Sequence, residues 1–224
     1  MQARLASETD LAGFREEARS LLAHQVPPEQ VDWLTAHNSD QFAEVIPSDG
    51  RGSRHVPRAA MAIVPASFLR LCEIVVLHRD TDRFALLYRL LWRLVHEPGL
   101  RGDPIDADML SAQQMGQAVR RDLHKMKAFV RLRPVAGADD AQPPLQLAWF
   151  EPAHHIVEAA APWFVRRFPQ QRWAVLTPER SARWTPSTER LEFGPGLAGS
   201  AHVPHPEDSF LVQAYRATFG ARGR

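Results

Sequence analysis

After Met126 the apolar residues of this chain change their period. Upstream they recur every three or four residues; downstream they alternate every two. A chain that switches once in this way is expected to fold as α+β, with a helical N-terminal part and a small, mainly antiparallel sheet flanked by helices.

Within the helical part, Leu11, Phe14, Ala18, Leu21 and Leu22 predict a helix from Asp10 to about Ala23, capped by Thr9 or Asp10. Pro27-Pro28 ends it, and Pro28 opens a short turn holding Val31 and Trp33. Residues 35–60 are polar and rich in Gly and Pro, and read as a surface loop with a short strand near Phe42–Ile46. Pro65 suits the first turn of a helix carrying Phe68, Leu69, Cys72, Val75 and Val76. Asp80 is expected to cap the next, in which Phe84, Leu87, Tyr88, Leu91, Trp92 and Val95 form one apolar face. Leu86, Leu90 and Leu94 widen that face, so this helix is expected at the centre of the core. After a turn at Pro98-Gly99 a long helix runs from about Asp106 to Met126, with Met109, Met115, Val119, Leu123 and Met126 inward.

Downstream, Ala128–Val135 and Leu145–Glu151 read as strands joined by the short loop Ala136–Pro144, which favours a hairpin. Arg172–Thr177 and Arg190–Phe193 supply two more strands, with helices at His154–Phe168 and Pro206–Phe219. Neither side of a break near residue 61 or 105 holds enough apolar surface for its own core. One domain over residues 1–220 is therefore expected, with 221–224 as a tail or the start of a linker.

Composition removes several function classes. With 45% hydrophobic and 24% charged residues, a mostly disordered chain is excluded. The single cysteine, Cys72, excludes a disulfide framework, a four-cysteine iron–sulfur cluster and a Cys-based zinc finger. The first residues, MQARLASETD, hold no signal-peptide core. The most apolar stretch, Phe84–Val95, is broken by Arg89 and Arg93, so no membrane association and a cytoplasmic location are expected.

The formal charge of +1 hides a local bias. Residues 120–133, RRDLHKMKAFVRLR, hold six Lys or Arg against one Asp, and residues 166–183 hold five Arg against one Glu. On a strand from Ala128, Arg131 and Arg133 share a side with Phe129 while Val130 and Leu132 point to the other. Arg121, His124 and Lys125 are spaced to share a helical face, and Lys127 lies at the junction. Guanidinium forks grip phosphate and a neighbouring ring can stack on a base. The same arginines could instead pair with Glu151, Glu158 or the Asp139-Asp140 loop on a solvated sheet face.

Two further clusters carry chemistry. In Trp149-Phe-Glu-Pro-Ala-His-His155, the residues Glu151 and His154, together with His124, could supply acid–base groups. Adjacent histidines on a helix diverge by about 100°, so a shared metal ion is not expected. No HExxH or other metal signature is present, and no metal or cofactor is assigned. In Trp173-Ala-Val-Leu-Thr-Pro-Glu-Arg-Ser-Ala-Arg-Trp184, a strand leads into a turn carrying Thr177, Arg180, Ser181 and Trp184. Those groups suit phosphate and base contacts, and equally suit a turn stitched to its own domain with Trp184 as a core plug. Phe193-Gly-Pro-Gly196 lacks the ending of a phosphate loop, and no GxSxG elbow occurs.

The blocks HKMKAFVRLR, WFEPAHHIVEAAAPWFVRRF, RWAVLTPERSARW and LEFGPG, in this order, resemble an uncharacterised bacterial family ascribed to DNA metabolism. The resemblance covers about residues 1–220. It implies a protein encoded beside a radical-SAM partner, or the N-terminal half of longer proteins ending in a uracil-DNA glycosylase-type domain; HRDTDRFALLYRLLWRL resembles the fused form. The family's polar positions fall on His124, Lys127 and Arg131, then Glu151, His154 and Arg167, then Trp173, Thr177, Arg180 and Ser181. A glycosylase half would begin near Gly220–Arg224, and the residues present carry no glycosylase motif, so uracil excision is not expected of them.

The expectation is an accessory nucleic-acid-binding module in DNA repair or modification, contacting DNA through Arg121, Lys125, Lys127, Arg131, Arg133, Arg167, Trp173, Thr177, Arg180, Ser181 and Trp184. One alternative is a nucleic-acid-processing enzyme centred on His124, Glu151 and His154. The other is a protein-interaction scaffold for the glycosylase or radical-SAM partner.

Overall fold

A computed structural model describes residues 1–35, 64–97, 99–100, 105–135, 144–197 and 207–220. The chain divides into two compact units, Met1–Val119 and Arg120–Arg224.

The first unit is mainly helical. Strand β1 (Gln2–Arg4) leads into helix α1 (Leu11–Ala23), whose Asp10 cap accepts the Gly13 N–H at 2.8 Å. After a 3₁₀ turn at Pro28–Gln30, β2 (Asp32–Leu34) pairs in parallel with β1. Helix α2 (Ala66–Val75) and helix α3 (Arg83–His96) follow. Phe14, Trp33, Phe84 and Tyr88 form the centre of the core, with ring centroids 5.1–6.1 Å apart. Asp82, rather than Asp80, occupies the cap position of α3; the Asp80 side chain instead accepts the Asp82 N–H at 2.9 Å. Arg83, 1% exposed, is kept inside by donating to the carbonyls of Val76, Asp80 and Glu8 and to the Glu8 carboxylate.

Helix α4 (Ala107–Phe129) begins in the first unit and ends in the second. Its start is anchored within the first unit. Asp106 accepts the Met109 N–H and an Arg93 N–H, while Arg89 grips Asp108 through two hydrogen bonds at 3.0 and 2.8 Å.

The second unit is a five-stranded sheet in chain order: β3 (Arg133–Pro134), β4 (Gln146–Trp149), β5 (Trp173–Leu176), β6 (Arg180–Thr185) and β7 (Arg190–Pro195). Only β4 and β5 pair in parallel, because helix α5 (Val157–Arg167) carries the chain between them; the other pairs are antiparallel. Every residue of β5 is buried, so both faces of this central strand are covered. On one face Trp173 meets Phe164 of α5; on the other Ala174 and Leu176 pack with Leu211, Ala214 and Tyr215 of helix α6 (Asp208–Phe219). The α+β fold and the expected hairpin are present.

Three details depart from expectation. Residues 128 and 129 finish α4, and β3 spans two residues, not Ala128–Val135. Ala-Phe-Val is too short for its alternation to outweigh a continuing helix, and the Val130 N–H still reaches the Met126 carbonyl at 3.1 Å. Residues 180–185 form a strand where a turn was expected, so the turn is confined to Thr177–Glu179. The three-residue β1 and β2 are too short to show a period. The strand expected near Phe42–Ile46, most of the Ala136–Pro144 loop and residues 221–224 lie outside the described residues.

Candidate nucleic-acid interface

The C-terminal turns of α4 gather most of the first basic cluster. Arg120, Arg121, His124 and Lys125 are exposed, Lys127 is half-buried, and Asp122 and Met126 face inward. Among the described residues, none of Arg120, Arg121, Lys125 and Lys127 takes part in an ion pair. Asp122, the one acid of this segment, is 5% exposed and accepts the His154 backbone N–H at 2.9 Å, which removes its charge from the outer face. Arg121, Lys125 and Phe129 follow one another at four-residue spacing, about 6 Å per step along the axis. Phe129 is 67% exposed, at the end of this cationic stripe.

Arg131 lies just past the helix. Its guanidinium donates to the carbonyls of Ala128 at 2.6 Å and Val130 at 3.2 Å, satisfying acceptors that the helix end leaves without partners. The remaining donors of the fork face an exposed surface, as does Arg133. Val130 is buried and Arg131 exposed, so these adjacent residues do face opposite ways, although at a helix terminus and not on a strand.

The second basic cluster is engaged at its C-terminal end. Arg180 donates to Glu158 at 2.7 Å and lies over the Phe193 ring, while Arg183 pairs with Glu192 and reaches the Tyr215 hydroxyl. Arg167 is exposed, with its guanidinium 5.1 Å from the Phe168 ring centroid. The acids that pair with Arg180 and Arg183 lie outside residues 166–183, which is why a count along the sequence overstated the charge of this end of the cluster.

Four of the expected nucleic-acid contacts belong to the interior. Trp173, Thr177 and Ser181 have no exposed surface, and Trp184 is 7% exposed with its indole N–H bonded to the Pro169 carbonyl at 2.9 Å. Trp173 and Trp184 are cross-strand partners on β5 and β6, so neither offers a face to a base. The Thr177 hydroxyl donates to the Arg180 carbonyl at 2.6 Å and accepts the Arg180 N–H at 3.2 Å, closing the turn on itself. Glu179 of the same turn lies 3.1 Å from His155 Nδ1. This segment is a turn stitched to its own unit.

Gly196 explains the LEFGPG block. Its N–H bonds to the Glu179 carbonyl at 2.9 Å, and a Cβ there would come within 2.2 Å of the Pro178 and Glu179 backbone.

His124 is exposed on α4, Glu151 is exposed and accepts the Trp149 indole N–H at 3.2 Å, and His154 is half-buried with its backbone held by Asp122. Among the described residues no three His, Cys, Asp or Glu side chains are grouped to hold a metal ion. Burial pushes the Cys72 thiol up to about 12, which leaves it unreactive at neutral pH. No helix among the described residues is long and apolar enough to cross a membrane.

Sequence reasoning passed over two members of this surface. Arg120 was signalled only by its place beside Arg121. Asp122 was counted against the charge, when its four-residue spacing from the buried Met126 marks it as an inward anchor.

Residues 81–211 match a family described as a domain of unknown function, DUF4130, over more than half of the chain. The chain belongs to the DUF4130 family. The match takes in α3, α4, α5 and the whole five-stranded sheet, so the α4 stripe, the Thr177–Arg180 turn and the Gly196 contact are all within the DUF4130 span. No curated protein and no solved structure matches the chain.

Proposed function

We propose that this DUF4130 protein is an accessory nucleic-acid-binding module acting in DNA repair or modification. The observation that carries the reading is the exposed stripe Arg121, Lys125 and Phe129, with Arg120 and Lys127 on other sides of the same helix end, all four cations without an ion pair among the described residues. Cations left unneutralised beside an exposed ring favour a polyanion whose phosphates release counterions on binding. On this reading Arg121, Lys125, Lys127, Arg131 and Arg133 contact phosphate, Arg167 is a peripheral contact, and Arg180 is occupied by Glu158. The partners implied by the sequence resemblance, a uracil-DNA glycosylase-type domain or a radical-SAM protein, would supply the chemistry.

The test is binding of the purified protein to single-stranded, duplex and uracil-containing DNA over a series of salt concentrations. Affinity that falls steeply as salt rises, with no preference for uracil, is the expected result. No binding at low salt by protein shown to be folded would overturn the reading and favour a protein-interaction scaffold.

A further inference from the structure

We infer that the C-terminal end of α4 takes a single strand of DNA, with Phe129 as the platform on which one unpaired base stacks; the inference rests on the nucleic-acid reading above and specifies its substrate. Phe129 is 67% exposed while nearby Met126 and Val130 are buried, so it is not a frayed piece of core but a ring presented to solvent at the end of a row of cations. Its surroundings name the occupant. Arg121 and Lys125 precede it along the same stripe at about 6 Å per step, close to the phosphate repeat of an extended strand. An apolar peptide would have to bury those cations without an anion, and a second copy of this chain would have to bring one of its carboxylates to each of them. A nucleic-acid strand neutralises the cations and covers the ring at once.

The geometry also selects single over double strands. In a duplex the base faces are stacked on one another, and a ring reaches one only by prising a base step apart, at the cost of unstacking it. An unpaired base offers a π-face, and stacking on an aromatic side chain accepts any base. Arg131 contributes by position. By closing the Ala128 and Val130 carbonyls it fixes the backbone on both sides of Phe129, so the ring is presented from an ordered helix terminus.

The experiment compares wild-type protein and Phe129→Ala on an oligothymidylate strand, on an abasic strand of the same length, and on duplex DNA. Both single strands carry the same phosphates and differ only in bases. Wild-type protein is expected to bind the thymidylate strand about tenfold more tightly than the abasic one, the scale of one stacked base. Phe129→Ala should lose that preference while keeping the duplex affinity and the salt slope, and Phe129→Trp should restore it. If Phe129→Ala binds both single strands as wild type does, the stacking platform is wrong and the phosphate reading stands. If wild-type protein binds none of the three, both fall. Since Phe129 is exposed, the substitution leaves the core intact, and circular dichroism of the variant checks this.

Discussion

The carboxylate of Asp122 accepts the backbone N–H of His154 at 2.9 Å, so the inner face of the basic helix is bonded to the approach to α5. One residue thereby positions two of the blocks that stood out in the sequence. Asp122→Ala removes the acceptor and leaves a part-buried N–H without it, at an expected cost of about 1–3 kcal/mol. Urea denaturation of the variant measures this; a midpoint equal to wild type would show that the bond contributes nothing.

Val130 and Arg131 are expected to divide stability and binding between them. Val130→Ala opens a cavity under the helix end and should cost about 1–3 kcal/mol of stability while leaving affinity per folded molecule unchanged. Arg131→Ala loses exposed hydrogen bonds to the Ala128 and Val130 carbonyls and should cost only about 0.5–1.5 kcal/mol, yet weaken DNA binding. Matched denaturation and binding curves for both variants make the comparison, and indistinguishable effects on affinity would contradict it.

The start of α4 should be acid-sensitive. A hydrogen bond from Arg93 holds Asp106 below its ordinary 3.8, and Arg89 does the same for Asp108. Both carboxyls bind protons more readily in the unfolded chain. Their stabilisation is therefore present above about 3.8 and is lost as pH falls through the lower folded values. Burial lowers His78 below 6.5, so its contribution is complete above that value and also declines as pH falls. The urea midpoint should drop in two stages on acidification. In Arg93→Met the lower stage should shrink, and an unchanged acid limb would refute the assignment.

Gly196 is expected to tolerate no side chain. A Cβ there would meet the Pro178 and Glu179 backbone at 2.2 Å, and backbone cannot swing aside as a side chain can. Gly196→Ala should destabilise the second unit by about 1–3 kcal/mol, the ordinary cost of overpacking. Calorimetry of the variant is the check, with an unaltered transition as the contrary outcome.

The change of period after Met126 announced the α+β fold because most of the chain's strands, including the whole five-stranded sheet, come after it. Element ends were less legible. The run from Ala128 to Val130 satisfies a helix and a strand alike over so few residues, and its outcome is set by the packing of Met126 and Val130. Arg180 looked like an anion ligand, and Arg183 swelled the charge count beside it, because their partners Glu158 and Glu192 come from other segments, which a window of sequence does not see. Trp173 and Trp184 carried the same ambiguity: an indole suits a base or a core, and the β5–β6 register decides for the core. The α4 stripe was legible because its residues are neighbours in sequence as well as in space.

The most direct test of the central claim is the salt dependence of DNA binding in two charge variants. Arg121→Gln/Lys125→Gln removes two exposed cations that lack ion pairs among the described residues, whereas Arg180→Gln removes one already held by Glu158. If the α4 stripe binds phosphate, the double variant should lower the slope of log affinity against log salt on a single strand by about 1.4, and Arg180→Gln should leave it unchanged. A double variant with the wild-type slope, or an Arg180→Gln slope reduced as much, would contradict the assignment of the interface to α4.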